Sequence, residues 1–167
     1  MKKIGIFYGT TSGKTGAIVE EIEFNLKKVD HEIFNVKNGI SDINNFENLI
    51  LVSPTYGVGE LQIDWENSLD EFKKIDFKNK TVALVGLGDQ FKFGESFIGA
   101  IKILYDIVTE NGGKIIGFTS LDGYLFKESH AIVNNMFVGL ALDESQQDDL
   151  TPDRIYDWIK SILPDFQ

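Results

Sequence analysis

The chain has 167 residues, 43% of them hydrophobic, with no cysteine, so it holds enough apolar material for one well-buried domain and excludes disulfides, thiolate metal sites and cysteine redox chemistry. A formal net charge of −10 argues against nucleic acid, whose phosphates require Lys and Arg, and against anionic membranes, while suiting docking to basic proteins. Met1-Lys2-Lys3 runs into a strand with no apolar leader, and no apolar run approaches the ~18 residues of a membrane span, so a cytoplasmic single domain over 1–167 is expected.

The first apolar run, Ile4 to Tyr8, reads as a strand. Gly9-Thr10-Thr11-Ser12-Gly13-Lys14-Thr15-Gly16 turns it into a helix, whose apolar residues Ile18, Ile22 and Leu26 recur with a period near 3.6. His31 to Val36 is a short, less apolar strand suited to a sheet edge, and the lone His31 is read as structural or solvent-facing. Asn48 to Ser53 is continuous enough to be buried on both faces, with Pro54 closing it and a loop following to about Asp64. A helix then carries Trp65, Leu69 and Phe72 inward.

Lys80 to Gly86 is a third buried run, followed by a Gly-rich loop. The pattern predicts the longest helix over Glu95–Asn111, with Phe97, Ile101, Leu104 and Val108 on one face. Asn111-Gly112-Gly113 ends it with residues that tolerate positive φ. Lys114 to Phe118 is a fifth strand, interrupted by an insertion from Thr119 to about Asn135 and resumed over Phe137–Leu142. Thr151 then caps a final helix with Pro152 at its first position and Ile155, Trp158, Ile159 and Ile162 inward. Strands alternating with helices indicate a parallel sheet covered on both faces, so every loop that follows a strand gathers at one end of it.

The turn after the first strand has the makings of a phosphate cradle. The first amides of a helix lack intrahelical partners and the dipole there is positive, so an anion is favoured. Thr10, Thr11, Ser12 and Thr15 add hydroxyls, and glycines let the backbone approach. A nucleoside-triphosphate loop is disfavoured, because Gly9 to Gly13 encloses three residues instead of four and Tyr8 stands where the first glycine belongs. The intervals of Gly9, Gly13 and Gly16 also miss the dinucleotide fingerprint. A strand-to-helix turn rich in capping hydroxyls is the plain structural reading. Two more loops follow strands: Ser53-Pro54-Thr55-Tyr56-Gly57-Val58-Gly59-Glu60-Leu61 and Gly86-Leu87-Gly88-Asp89-Gln90-Phe91-Lys92-Phe93-Gly94. Tyr56 and Phe93, one on each, could flank a flat apolar ring.

Thr10-x-Ser12-Gly13-x-Thr15 resembles the FMN-phosphate loop of the flavodoxins, usually T-x-T-G-x-T, and the two later loops resemble the two that flank the flavin in that family. Asp122-Gly123-Tyr124 and Phe137-Val138-Gly139-Leu140-Ala141-Leu142-Asp143 resemble segments of the long-chain type. The resemblance covers nearly the whole chain. It implies an α/β fold, a doubly wound five-stranded parallel sheet of order 2-1-3-4-5 with helices on both faces and an insertion in the last strand. That strand order belongs to the family, a standard instance of ligand binding at the topological switch point.

The resemblance also implies the cofactor, noncovalent FMN, held by Thr10, Thr11, Ser12, Gly13, Lys14, Thr15, Pro54, Thr55, Tyr56, Gly57, Val58, Gly59, Leu87, Gly88, Asp89, Phe93, Ser96 and Phe97. Backbone groups of Gly57, Val58, Gly88 and Asp89 would serve the ring edge. This sequence departs from the family where Tyr56 replaces a frequent tryptophan, Phe93 a usual tyrosine and Leu87 a frequent threonine. In the family the peptide after the inner-loop aromatic, here Gly57–Val58, turns its carbonyl toward flavin N5 as the semiquinone forms.

The implied function is low-potential one-electron transfer through oxidised, semiquinone and hydroquinone states, by a monomeric carrier serving redox partners with basic docking surfaces. Glu60, Asp64, Glu66, Asp143 and Glu144 are candidates for the acidic docking rim. No His-based triad, metal cluster or general base points to catalysis, and His130 has no evident partner. A flavodoxin-like FMN-dependent NAD(P)H reductase is the alternative. A phospho-acceptor domain is disfavoured, since Tyr8-Gly9 and Ser53-Pro54 stand where its acidic residues belong.

Overall fold

The computed structural model describes residues 1–167. The elements are β1 (Ile4–Tyr8), α1 (Lys14–Asn25), β2 (His31–Asn35), β3 (Asn48–Tyr56), β4 (Glu60–Leu61), α2 (Ile63–Asn67), α3 (Leu69–Phe72), β5 (Thr81–Leu87), α4 (Ala100–Glu110), β6 (Lys114–Ile116), β7 (Ile132–Val133), β8 (Met136–Phe137), β9 (Leu140–Leu142) and α5 (Thr151–Ile162). Parallel strands run in the order β2-β1-β3-β5-β6, with the weakly apolar β2 at the edge. Strand β6 pairs with Thr81–Ala83 and β9 with Val85–Leu87, so the two are halves of one strand position. The expected order 2-1-3-4-5 holds, and the residues between the halves are the insertion, which carries the small β7–β8 hairpin.

Alternation along the strands divides the core into two. Leu49, Leu51, Val82 and Leu84 meet Trp65, Phe72, Ile101 and Leu104 from α2, α3 and α4. Ile50, Val52, Ala83 and Val85 meet Ile18 and Ile22 of α1 and Ile155, Trp158 and Ile162 of α5. Each fully buried large aliphatic or aromatic side chain contributes about 1.5–3 kcal/mol relative to exposure. With both faces covered, the ends of the strands are where a ligand can enter.

Several local expectations changed, among them the end of β3, the start of α4 and the cap of α5. Strand β3 does not stop at Pro54 but runs to Tyr56 and folds back through β4, with Thr55 opposite Leu61 and Tyr56 opposite Glu60. Val52 points its carbonyl toward the β1 side, where it accepts from Gly9 N–H, so Pro54, two residues on, faces the space beyond the end of β1. Its missing N–H therefore breaks no ladder bond.

The helix expected from Glu95 begins only at Ala100. Upstream, Gly94 carbonyl accepts from Lys127 and Glu128 N–H at 2.8 and 2.9 Å, and Phe97 N–H donates to Glu128 carbonyl. Ile98 sits at φ 48, a conformation incompatible with a continuing helix. The insertion thus holds this stretch as turns. Finally, α5 includes Thr151, whose hydroxyl donates to the Glu144 carboxylate, and no side-chain cap hydrogen bond is made at its start.

Candidate functional site

Thr10 begins the turn between β1 and α1, where its hydroxyl accepts from Gly13 N–H at 3.0 Å. Gly13 lies at φ 86, in the left-handed region, and a Cβ there would meet nothing within 4 Å, so backbone conformation rather than crowding requires glycine. The first helical backbone bond is Ala17 N–H to Gly13 carbonyl. The amides of Lys14, Thr15 and Gly16 precede any intrahelical acceptor and form the positive end of α1. Ser12 and Lys14 are exposed beside them, whereas Thr15 is buried.

Behind this turn, Gly9 packs closely: a Cβ would fall 2.1 Å from Gln62 Oε1 and 2.8 Å from Trp65 Cδ1. Gln62 is wholly buried and caps α2, its Oε1 accepting from Asp64 and Trp65 N–H, while its Nε2 donates to Asp64 Oδ2 and Thr11 Oγ1. Trp65 Nε1 donates to Val52 carbonyl at 2.9 Å. Gln62 and Trp65 therefore tie the end of the β3–β4 hairpin to the β1–α1 turn. Gln62 fell in a stretch read only as loop, where the sequence pattern carries no signal for it.

Gly57-Val58-Gly59 forms the tip of the hairpin, with both glycines at positive φ, 51 and 80. Ser96 hydroxyl donates to Gly57 carbonyl at 3.2 Å, joining the second loop to the first. Within the second loop Gly88 N–H donates to Leu142 carbonyl, which takes that amide out of use for a ring edge. Gly88 itself admits no side chain, since a Cβ would lie 2.9 Å from the Phe97 ring and 3.1 Å from Ile98 N.

The three loops meet around one cleft of about 240 Å³, lined by Ser12, Lys14 and Thr15, by Pro54, Thr55 and Tyr56, and by Leu87, Gly88, Asp89 and Phe93, with Lys92, Glu144 and Ser145 added. Tyr56 is 38% exposed and Phe93 39%, and neither ring packs on another aromatic, although the Lys92 ammonium lies 5.6 Å from the centre of the Phe93 ring. Gly57, Val58 and Ser96 line an adjoining cavity of about 370 Å³. Thr11 and Gly59 line a third hollow beside Tyr56, where Glu60 and Glu66 are exposed. Phe97 departs from the set. It is fully buried and packs against Phe126 at 5.5 Å and Phe137 at 6.0 Å, because its turn faces the insertion.

Among the acidic residues, burial works to raise the Asp89 carboxyl. Hydrogen bonds from the Lys92 and Phe91 amides and the Gln146 and Ser145 side chains outweigh it and hold the pKa below the ordinary 3.8. The stabilisation that Asp89 provides is therefore complete above the unfolded value and is lost as pH falls through the lower folded one. Asp89→Ala is expected to flatten the acid limb of the urea-stability profile below pH 3.8, and parallel limbs for the two proteins would refute this. Asp143 leaves the expected docking rim, since it is wholly buried. Asp64 accepts from Gln62 Nε2 beside Thr11. His31 bonds Val29 carbonyl at 2.7 Å, as a structural residue would, and His130 is exposed.

The description of the family named Flavodoxin matches residues 6–158. The chain belongs to the flavodoxin family. It is 44% identical over 168 residues to the flavodoxin of a Nostoc species, across 99% of this chain and 98% of that one. To the Helicobacter pylori flavodoxin it is 43% identical, across 99% of each. The structure of Fusobacterium nucleatum flavodoxin bound to flavin mononucleotide superposes with a TM-score of 0.98 at 59% identity, covering 100% of both chains. The length and the insertion in the last strand are those of a long-chain flavodoxin, an electron carrier rather than an enzyme. No helix is long and apolar enough to cross a membrane.

Proposed function

We propose that the whole chain, 1–167, acts as a single domain that holds FMN in the 240 Å³ cleft and passes electrons one at a time, at low potential, between partner proteins. The convergence of the phosphate turn, the hairpin tip and the second loop on that cleft carries the reading. The free amides of α1 and the hydroxyls of Ser12 and Thr15 suit a terminal phosphate. Tyr56 and Phe93, exposed on two of the loops that line the cleft together with Pro54 and Leu87, suit a flat ring. Bound FMN would supply the redox chemistry. The protein's part is to bind it, orient it and exclude water from one side.

Around the cleft Asp89 and Glu144 are matched by Lys14 and Lys92, so it is the overall charge of −10 that would make a second electron harder to add to bound FMN. Opposing charge of about 1.4 kcal/mol corresponds to roughly 59 mV for one electron. Exposed Glu60 and Glu66 suit basic docking surfaces on donors and acceptors, and we place the carrier in the cytoplasm as a monomer.

Gly57 is proposed to ease the turn of its peptide toward the ring during the first reduction. It lies at φ 51, and a Cβ would stand 3.2 Å from the Glu60 carboxylate. Left-handed backbone costs other residues about 1–2 kcal/mol, a strain that alanine would carry at φ 51 before any turn, so only what the turned conformer adds reaches the potential, and Gly57→Ala is expected to lower the first-electron potential by at most roughly 50 mV. Spectroelectrochemistry measures it; an unchanged potential would sink the idea.

The experiment that tests the function is an anaerobic reductive titration of the FMN-loaded protein, followed by its visible spectrum. Uptake resolved into two successive one-electron stages supports the carrier. A direct two-electron passage, with rapid NADPH oxidation in the absence of a partner, would support the reductase instead. Failure to bind FMN would undo the assignment of all three loops.

A further inference from the structure

Asp143, just after β9, is a wholly buried carboxylate that enters no ion pair. An unpaired buried charge is costly unless hydrogen bonds satisfy it. Four donors do so: Ser145 and Gln146 N–H on Oδ1 at 3.0 and 2.9 Å, and the backbone N–H and side-chain Nε2 of Gln90 on Oδ2, both at 2.9 Å. Two of the four thus come from one residue, fifty-three positions away in the chain, in the middle of the second loop.

Gln90 is only 3% exposed, and each of its side-chain polar atoms is engaged. Its Nε2 also donates to Gln147 Oε1 at 2.9 Å, and its Oε1 accepts from Leu125 N–H in the insertion. Gln147 is itself held by Arg154, the chain's single arginine, whose guanidinium lies 4.1 Å over the Tyr124 ring. Gln90 is flanked by the residues that face the cleft. Asp89 precedes it, Phe93 N–H donates to Asp89 carbonyl, and a Cβ on Gly94 would fall 2.4 Å from Gln90 carbonyl. The course of the chain from Asp89 to Gly94 is therefore set where Gln90 is anchored.

We propose that Asp143 is a positioning residue for the cofactor: through Gln90 it holds the second loop in the geometry that aims Phe93 at the cleft, without itself touching the ligand. This rests on the FMN reading above. Because the carboxylate is an all-acceptor group facing four donors, Asp143→Asn keeps the shape but turns an amide N–H₂ toward one donor pair. Where that pair is the Gln90 N–H and Nε2, the second loop loses its hold on residue 143.

The test compares FMN affinity by fluorescence quenching, the visible circular dichroism of the bound flavin, and urea stability of the FMN-free protein. The wild-type chain is titrated first, and its failure to bind FMN would strike the functional reading, not this inference. With wild-type binding in hand, Asp143→Asn is expected to weaken FMN by at least about tenfold and to alter the flavin dichroism. Gln90→Met, which leaves the carboxylate and three of its donors in place, is expected to do the same to a smaller degree and decides the matter if Asp143→Asn does not fold. Wild-type affinity and dichroism in a folded variant would overturn the proposal. So would a lowered urea midpoint with both flavin readouts unchanged, since that describes a purely structural residue.

Discussion

Ser12→Asp is expected to weaken FMN by up to about a thousandfold while leaving riboflavin, which lacks the phosphate, bound as in the wild-type chain. Ser12 is exposed at the mouth of the α1 amides and lines the cleft. A carboxylate there sits where the phosphate is proposed to bind. Two unit charges about 4 Å apart repel by about 4 kcal/mol at the effective dielectric near a protein surface, and each 1.4 kcal/mol is tenfold in affinity. Ser12 is as exposed as Lys14, so solvent screens this repulsion as it screens the lysine's attraction, and the thousandfold is its upper end. Isothermal titration with the two ligands reads the result. Equal losses for FMN and riboflavin would mean that the turn does not carry the phosphate.

Trp65→Ala is expected to lower the stability of the FMN-free chain by about 3–5 kcal/mol, a large share of the roughly 5–15 kcal/mol typical of a domain. Trp65 is fully buried, packs edge-on to Phe72 at 5.7 Å, stands against Gly9 and donates to Val52 carbonyl. Truncation empties that space and leaves part of the hydrogen-bonding capacity at the end of β3 unused. Trp65→Phe keeps most of the volume and should cost closer to 1 kcal/mol, the net worth of the lost hydrogen bond with a small void. Urea unfolding with an unchanged slope measures both. A loss below about 1 kcal/mol for the alanine variant would show that the site collapses around it or that the contact adds little.

Much of the fold was legible because its signals are local. The buried runs Asn48–Ser53 and Thr81–Gly86 alternate their side chains between two cores, a consequence of the two-residue period of a strand. Glycine at position 13, needed at φ 86, and the hydroxyls around it mark the tight turn into α1 by residue type alone. The split of the last strand showed as a break between two apolar runs. Comparison with known flavodoxins then agreed over nearly the full length.

Less legible was the stretch after the second loop. A helical period through Phe97, Ile101, Leu104 and Val108 predicted a helix from Glu95, and the last three residues do lie on α4. Phe97 shares their burial but not their helix, since the amides of Lys127 and Glu128, more than thirty residues away, bind Gly94 and hold the chain in turns. Periodicity records that a residue is buried; it does not record what buries it.

The amino-acid order alone thus determined the alternation of strands and helices, the parallel sheet and the three loops at one end of it, because period, glycine and hydroxyl content act over a few residues. Only the tertiary structure decided that Pro54 continues a strand beyond the reach of β1, that Gln62 bridges two loops, and that Asp143 lies inside instead of on the acidic rim. Each of those depends on donors and acceptors brought together from distant parts of the chain, and a polar side chain carries no mark of its partner until the backbone has folded around it.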